Sequence, residues 1–547
     1  MKINSTHPLI APAIKILLTV AIVIVVFTAN AQIFDITSFG AVGNGSTMNT
    51  TFIQDAVDSC HNSGGGIVRV PQGNFLTATV FLKSNVIIQI DSGATITGAS
   101  STSDYPDVIP LIRSYTDHYS QRSVFYAEGQ HNIGIIGKGS FEGNGLSASF
   151  YLDQGNKPYG FRFISCTNVR YEGVTLHNSG FWMMHNQDID TLVIKNINIV
   201  NQNLGNGDGI NIDGCKNVIV DSCTANCNDD PLVIKTTSLS SSENISISNC
   251  TVMSYSRAIK LGTETHGAFK NIHINNITVL LSTTAAIPAK CGINLSVVDG
   301  GSMENVLIEN VNMTGIKVPI MIRLGNRGRK YTDTAATPVV GFVRNVELRN
   351  ITATASTNVT SSITGIPGYY AKNIRMHDID ITFPGGQPAV SNGFVVPENI
   401  SGGPEATIFG DTLPAAGLYM RHVDSIQLCN VHFHSQQPDG RPDYVFDDVL
   451  HIDSTGGCII GNIENKKESS EMKIFPNPIA IGNWQLELRS DLIGEEIDVY
   501  DATGRIMQQL TIASNQLEID SDKLESGIYF IICVKNGEKF FAKLMKQ

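Results

Sequence analysis

The chain has 547 residues, a formal net charge of −12, only 16% charged residues, and 50 glycines against 7% aromatics. That acidic balance argues against a nucleic-acid partner and gives no reason to expect a membrane-surface role. The glycine count suits many short strands joined by tight turns better than long salt-bridged helices, and the length easily supplies a continuous core.

In chain order, the first element reads as a signal peptide covering residues 1–31. Lys2 and Lys15 precede an apolar run from Ile16 to Phe27, and Ala29-Asn30-Ala31 has the small-x-small form of a cleavage site. The run is too short to span a bilayer comfortably, so cleavage after Ala31 is expected, leaving an exported chain with no membrane span. Residues 32–100 form an N-terminal cap region. Here Thr47 to Thr51 can cap a helix in which Phe52, Ile53, Ala56 and Val57 share one face, and Gly64-Gly65-Gly66 ends it. A short amphipathic helix would close the open end of a stacked structure. The glycine-rich FGAVGNG, Phe39 to Gly45, lacks the βαβ context of a dinucleotide loop and reads as the turn before that helix.

Then a pattern recurs: a polar residue, alternating apolar and polar positions, and a polar break. It runs as NVRYEGVTL from Asn168, NVIVDSCTA from Asn217, NISISNCTV from Asn244, NIHINNITV from Asn271, NVLIENVNM from Asn305, NVELRNITA from Asn345, NIRMHDIDI from Asn373 and SIQLCNVHF from Ser425. Period-2 alternation marks short half-buried strands, and recurrence every two to three dozen residues marks a solenoid. The expected fold is all-β: a right-handed parallel β-helix over residues 32–461, its Asn positions stacked as ladders at turns where side-chain amides satisfy unpaired backbone groups.

Within this pattern, NGDGINIDGCKNVIVDSCTANCNDDPLVIK, Asn206 to Lys235, sets Asp208 one coil before the pair Asp229 and Asp230. Stacked coils lie about 4.8 Å apart, so three carboxylates gather on one wall, as acid/base cleavage of a glycosidic bond requires. Adjacent strand residues point to opposite faces, so Asp229 and Asp230 can share a cleft only at an irregularity, which Pro231 supplies. Crowded carboxylates repel, raising at least one pKa and keeping a proton available. Asp213 and Asp221 read as turn caps. Cys223, Cys227 and Cys250 read as core or turn residues stacked between coils, ahead of a disulfide; a zinc site comes last because no His lies at ligand spacing. No metal or cofactor is called for.

After the repeats, NIENKKESSE at residues 462–471 is a linker, and residues 472–547 form a small β-sandwich-sized domain. Strands are expected near Trp484 to Arg489, Ile497 to Tyr500, Met507 to Ile512 and Ile528 to Val534, with turns at Ala502-Thr503-Gly504 and Lys535-Asn536-Gly537. Phe475-Pro476-Asn477-Pro478, Val499-Tyr500-Asp501 with Gly504, Leu524 to Tyr529 and terminal Lys543-Leu544 together resemble the type IX secretion sorting domain of Bacteroidetes. The resemblance implies the type IX machinery as partner and an extracellular or cell-surface location. A carbohydrate-binding module is the alternative for this tail.

The core resembles glycoside hydrolase family 28, the pectin-lyase-like polygalacturonases. FGAVGNGSTMNTTFIQDAVDSC, GGGIVRVPQGNFLTATVFLKSNV, the SGFWMMH of Ser179 to His185 and the NGD…NDD pair carry the resemblance. It implies Asp229 as general acid, Asp208 and Asp230 as the water-activating pair, and inversion with carboxyls roughly 6.5–9.5 Å apart. It further implies substrate contacts from Asn206, His185 and Lys235. Where the family has Gly-His-Gly, this chain reads Ser256-Arg257-Ala258 before IKLGTE, and Ile293-Asn294-Leu295 replaces Arg-Ile-Lys. Arg257, Lys260 and Arg323 are therefore the candidates to rebuild an acidic-sugar site, since a guanidinium clamps a carboxylate bidentately; Arg327, Arg329 and Lys330 read equally as surface charges. The substrate is expected to be homogalacturonan, rhamnogalacturonan or another acidic glycan, acted on by a monomer. A Ca²⁺-dependent polysaccharide lyase and a noncatalytic surface adhesin remain as alternatives. Long insertions after Arg329 and from Pro384 to Pro414 would favour attack at a chain end by walling the cleft.

Overall fold

The computed structural model describes residues 32–453 and 473–546, apart from short stretches at 204, 283, 285–286, 392–393, 476–482, 502–505, 522–523, 525–526 and 536–537. The expected signal peptide, the 462–471 linker and both tail turns fall wholly or partly outside these residues. Between residues 463 and 464 the chain divides into two compact units.

The first unit is a right-handed parallel β-helix. Each strand pairs in parallel with its counterparts one coil before and after, as in the succession Ile210↔Leu232, Leu232↔Ile259, Ile259↔Ile293 and Ile293↔Ile320. Alternation along every strand sends one set of side chains into a single cluster running from Ile36 to Tyr444. The opposite set, including His185, Asn211, Val233, Lys260 and Asn294, forms an outward row. Coils already start in the expected cap region, where Ile33–Asp35 pairs with Gly66–Val70 and that strand with Val86–Ile90. The helix Thr50–Asn62 leaves the sheet, burying Ile53, Ala56, Val57 and Cys60. Its N-cap is Asn49, whose side chain does not bond the helix but accepts from the Val42 amide at 2.7 Å. Gly65 has φ +113°, and a Cβ there would meet the Asn85 carbonyl at 2.5 Å, so the helix ends on glycine by necessity.

The repeat positions read from the sequence all adopt positive φ, from Asn168 at 53° through Asn305 at 58° to Ser425 at 68°. Asn is the non-glycine residue that best tolerates this region. The ladder differs from expectation in its partners. From Asn244 to Asn373 each side-chain amide donates to the previous one, Asn271 to Asn244 at 3.1 Å, Asn305 to Asn271 at 3.2 Å and Asn373 to Asn345 at 2.7 Å, rather than to backbone, while Asn217 donates to Asp190 Oδ1 at 2.8 Å. Asn85, Asn132 and Thr191 belong to the same turn class. Cys223, Cys227 and Cys250 are buried free thiols within the core, and Cys429 is disulfide-bonded.

The second unit has its own core around Trp484, Leu486, Ile497, Val499, Ile519 and Ile531. Its strands are antiparallel, in a three-stranded and a four-stranded sheet. The strands Lys473–Phe475, Gln516–Ile519 and Glu538–Lys546 join the four expected from the pattern. No helix among the described residues is long and apolar enough to cross a membrane.

Candidate active site

The three acids sit in turns, outside strands. Asp208 ends the connection between Asn198–Asn201 and Ile210–Asp213, and Asp229 and Asp230 occupy the bend between Thr224–Cys227 and Leu232–Thr236. Leaving the strand at Cys227 removes the alternation that would have pointed neighbouring acids apart. The Asp208 turn is held from below by side-chain donors: Asn201 Nδ2 to the Asp208 carbonyl at 3.0 Å, Asn203 Nδ2 to the Ser179 and Phe181 carbonyls at 3.0 Å each, and Lys157 Nζ to the Gly205 carbonyl at 2.7 Å. Ser254 Oγ donates to the Asp229 carbonyl at 2.8 Å, fixing the second bend.

One oxygen from each of Asp208, Asp229 and Asp230 lies within 4.8 Å of the others. This is tighter than the roughly 6.5–9.5 Å expected for an inverting pair. Cationic side chains fill the surroundings: Lys260 Nζ is 2.6 Å from Asp230 Oδ2, and Lys235 Nζ is 3.3 Å from Asp208 Oδ2 and 3.6 Å from Glu264 Oε2. The acid spacing alone would suit a divalent cation, but these ammonium groups already neutralise the same carboxylates and would repel one. The Lys235 ammonium also lies 3.8 Å from the centre of the Trp182 ring, an aromatic face that favours the charged form.

Burial pushes Asp229 up, and the neighbouring Asp230 charge adds to the effect against Lys260. Burial would raise Asp230 as well, yet Lys260 first, then Arg257 and Lys235, more than offset it and hold this carboxyl at about 2. Burial also works against the charge on Lys235, but the Asp208 and Glu264 carboxylates override it and keep the ammonium protonated. Asp208 is pushed up mainly by burial, with Lys235 opposing. Asp208 and Asp229 are thus both biased toward holding a proton, Asp208 the more strongly, but Asp208 and Asp230 are tied to lysines whereas Asp229 forms no ion pair among the described residues. Adjacent residues are thus biased toward opposite protonation states, which is what a general acid beside a general base needs.

The other residues singled out from the sequence divide into two groups. Asn206 is exposed on the Asp208 turn, and Arg257 lies against the acids, its backbone N–H 3.1 Å from Asp230 Oδ1. Lys235 and Lys260 join them. His185 and Arg323 do not reach the acids. His185 is fully buried, bonded through Nε2 to Asp213 Oδ2 at 3.0 Å and stacked on Tyr159 with ring centres 5.3 Å apart. Asp213, expected as a turn cap, is its buried partner and also accepts from the Thr237 amide at 2.7 Å. Arg323 is fully buried; it donates to Thr364 Oγ1 at 3.3 Å and to the Asn399 carbonyl, with the Phe409 ring 5.1 Å away. Arg327 and Arg329 both pair with Asp299, and Arg329 also reaches Glu264 at 2.8 Å. Sequence reasoning missed Glu264, Trp182 and Glu405. The first two lie inside quoted motifs, IKLGTE and SGFWMMH, whereas Glu405, which pairs with Arg257, lies in a loop with no local signal.

Residues 60–398 match the model of glycosyl hydrolases family 28, and residues 473–547 match the secretion system C-terminal sorting domain. An exo-poly-alpha-D-galacturonosidase of Dickeya chrysanthemi is 36% identical over 130 residues, 22% of this chain and 21% of that protein. A probable polygalacturonase of Vitis vinifera is 28% identical over 224 residues, 38% of this chain and 45% of that protein. The chain therefore spans less than half the length of these relatives. Two solved structures share the fold: an exopolygalacturonase from Thermotoga maritima, with TM-score 0.58 and 20% identity over 74% of this chain and 93% of that one, and the family 28 exopolygalacturonase of Yersinia enterocolitica, with TM-score 0.60 and 18% identity over 78% of each. The chain belongs to glycosyl hydrolases family 28 and ends in a secretion sorting domain that marks it for export to the cell surface or beyond.

Proposed function

We propose that this protein hydrolyses O-glycosidic bonds in a pectic or related acidic polysaccharide, homogalacturonan or rhamnogalacturonan, by single displacement. Asp229 protonates the leaving oxygen while Asp230, the carboxyl held ionised, draws a proton from the attacking water that Asp208 helps to hold. The observation that carries this reading is the pairing of a raised Asp229 with a depressed Asp230 in one bend. Lys260 keeps the base ionised, and Lys235 keeps Asp208 from repelling it. The names of two relatives, an exo-poly-alpha-D-galacturonosidase and a probable polygalacturonase, support the substrate class.

A second reading, double displacement with an aspartate as nucleophile, is favoured by the 4.8 Å clustering of the acids, which lies nearer the roughly 5–5.5 Å of retaining enzymes. One experiment separates the two and tests hydrolysis itself. The purified protein is incubated with a pectic glycan panel, and products are followed by mass and by the anomeric configuration of the first-formed reducing end. Water added to each product with inverted configuration supports the proposal, whereas retained configuration supports the second reading. Unsaturated ultraviolet-absorbing products would mean a lyase and would defeat both.

A further inference from the structure

Arg257 stands where the structure joins the catalytic bend to the long insertion. Arg257 is 6% exposed, its Nε has no hydrogen-bond partner among the described residues, one terminal nitrogen donates to Ser256 Oγ at 2.6 Å, and the other meets Glu405, 148 residues along the chain. Lys290 Nζ approaches the other Glu405 oxygen at 3.6 Å. Both outer members of this cluster face solvent, the Lys290 side chain at 51% and that of Glu405 at 50% exposure. Arg257, beside the catalytic acids, and Lys290 thus converge on one carboxylate delivered by residues 394–416.

That segment does not depend on Glu405 for its position. Asn294 Nδ2 donates to the Pro404 carbonyl at 3.1 Å, Arg421 donates to the Val396 carbonyl at 2.7 Å, Arg323 holds Asn399, and Ala406 packs with buried Cys291, Val318 and Met321. The Lys290–Glu405 pair is half-exposed, and Glu405 meets the buried Arg257 side chain from half in solvent, so screening keeps its contribution small and the carboxylate can be exchanged for another. The fork of Arg257 accepts any planar carboxylate, and its unpartnered Nε leaves an additional donor for one.

We propose that Glu405 occupies the position of a sugar carboxylate, so that a uronate of the substrate displaces it from Arg257 and Lys290 as the glycan binds. The inference rests on the reading of the substrate as an acidic glycan. It makes Glu405 and Lys290 determinants of specificity: the empty site is self-neutralised, and only a ligand bringing its own negative charge restores the balance.

The test compares wild type, Glu405→Gln and Lys290→Gln on oligogalacturonates and on the same oligomers fully methyl-esterified. Removing the internal competitor should lower KM for the acid form, by up to about fivefold, the range such an exposed pair supplies. In that variant kcat should stay near wild type and KM for the ester should be unchanged. Lys290→Gln should raise KM for the acid form alone. An unchanged or raised KM for the acid in Glu405→Gln, an equal shift on acid and ester, or a loss of kcat would overturn the displacement and leave the hydrolase reading standing. A wild type inactive on both forms would instead remove the substrate reading, and this inference with it.

Discussion

Replacing Lys260 with Met removes the ammonium that most strongly holds Asp230 ionised. The pair is 2.6 Å apart, with the Lys260 side chain 6% and the Asp230 side chain 2% exposed, so solvent screens it poorly. An opposite charge at this range lowers a carboxyl by about 1–3 units, and each unit is about 1.4 kcal/mol. Arg257 and Lys235 remain in the variant and keep part of the field, so a rise of about 1–2 units is expected. With the wild-type carboxyl at about 2, the wild-type kcat/KM should be flat across pH 3–5 as far as this base is concerned; the variant should show an acid limb inside that window. Initial rates on oligogalacturonate, with circular dichroism as a check on folding, measure this directly. Lys260→Arg should largely restore the wild-type profile. A folded Met variant whose acid limb has not moved would refute the idea that this ammonium sets the base.

Asp229→Asn should lower kcat on the polymer by about 10²–10⁴-fold while leaving stability at pH 7 equal or greater, measured by thermal melting. The sign follows from the direction of the shift: a raised carboxyl costs stability once pH exceeds its unfolded value, and the amide removes that cost. Asp230 runs the other way, its depressed value contributing stability that is complete above the ordinary carboxylate range and lost as pH falls through about 2. In the Asn ladder, Asn305→Ala should cost about 1–3 kcal/mol, since it removes hydrogen bonds to two coils and puts a residue that lacks asparagine's tolerance of the left-handed region at φ 58°. Asn305→Gly should cost less, because glycine keeps the conformation, and equal melting points for the two variants would contradict the account. Dialysis against EDTA should leave the rate unchanged, as lysines rather than a cation neutralise the acids.

The solenoid was legible because one conformation repeats: an Asn in the left-handed region followed by alternating Val, Ile and Leu imposes both the turn and the strand in each coil. Asn85, Asn132 and Thr191 share the turn, but glycines around Asn132 and a Thr in place of Asn at 191 obscured two of these repeats. The acids were legible because Asp208, Asp229 and Asp230 lie in contiguous motifs one coil apart. The path of the long insertion was not. Alternation places Arg323 on the outward row beside Ser296 and Thr364, yet Asn399 and Phe409 from that insertion cover it. His185 shares the same fate beneath Tyr159 and Trp182. Local pattern tells which face a side chain takes but cannot tell what a distant loop lays over it.

The division of labour within the Asp229-Asp230 bend is tested most directly by leaving-group dependence. Asp229→Asn and Asp230→Asn are assayed on a polymeric galacturonan and on an aryl galacturonide whose acidic phenol departs without protonation. The account predicts that Asp229→Asn loses most of its activity on the polymer but retains much of it on the aryl glycoside, whereas Asp230→Asn fails on both. Equal losses by Asp229→Asn on the two substrates would contradict its role as the proton donor.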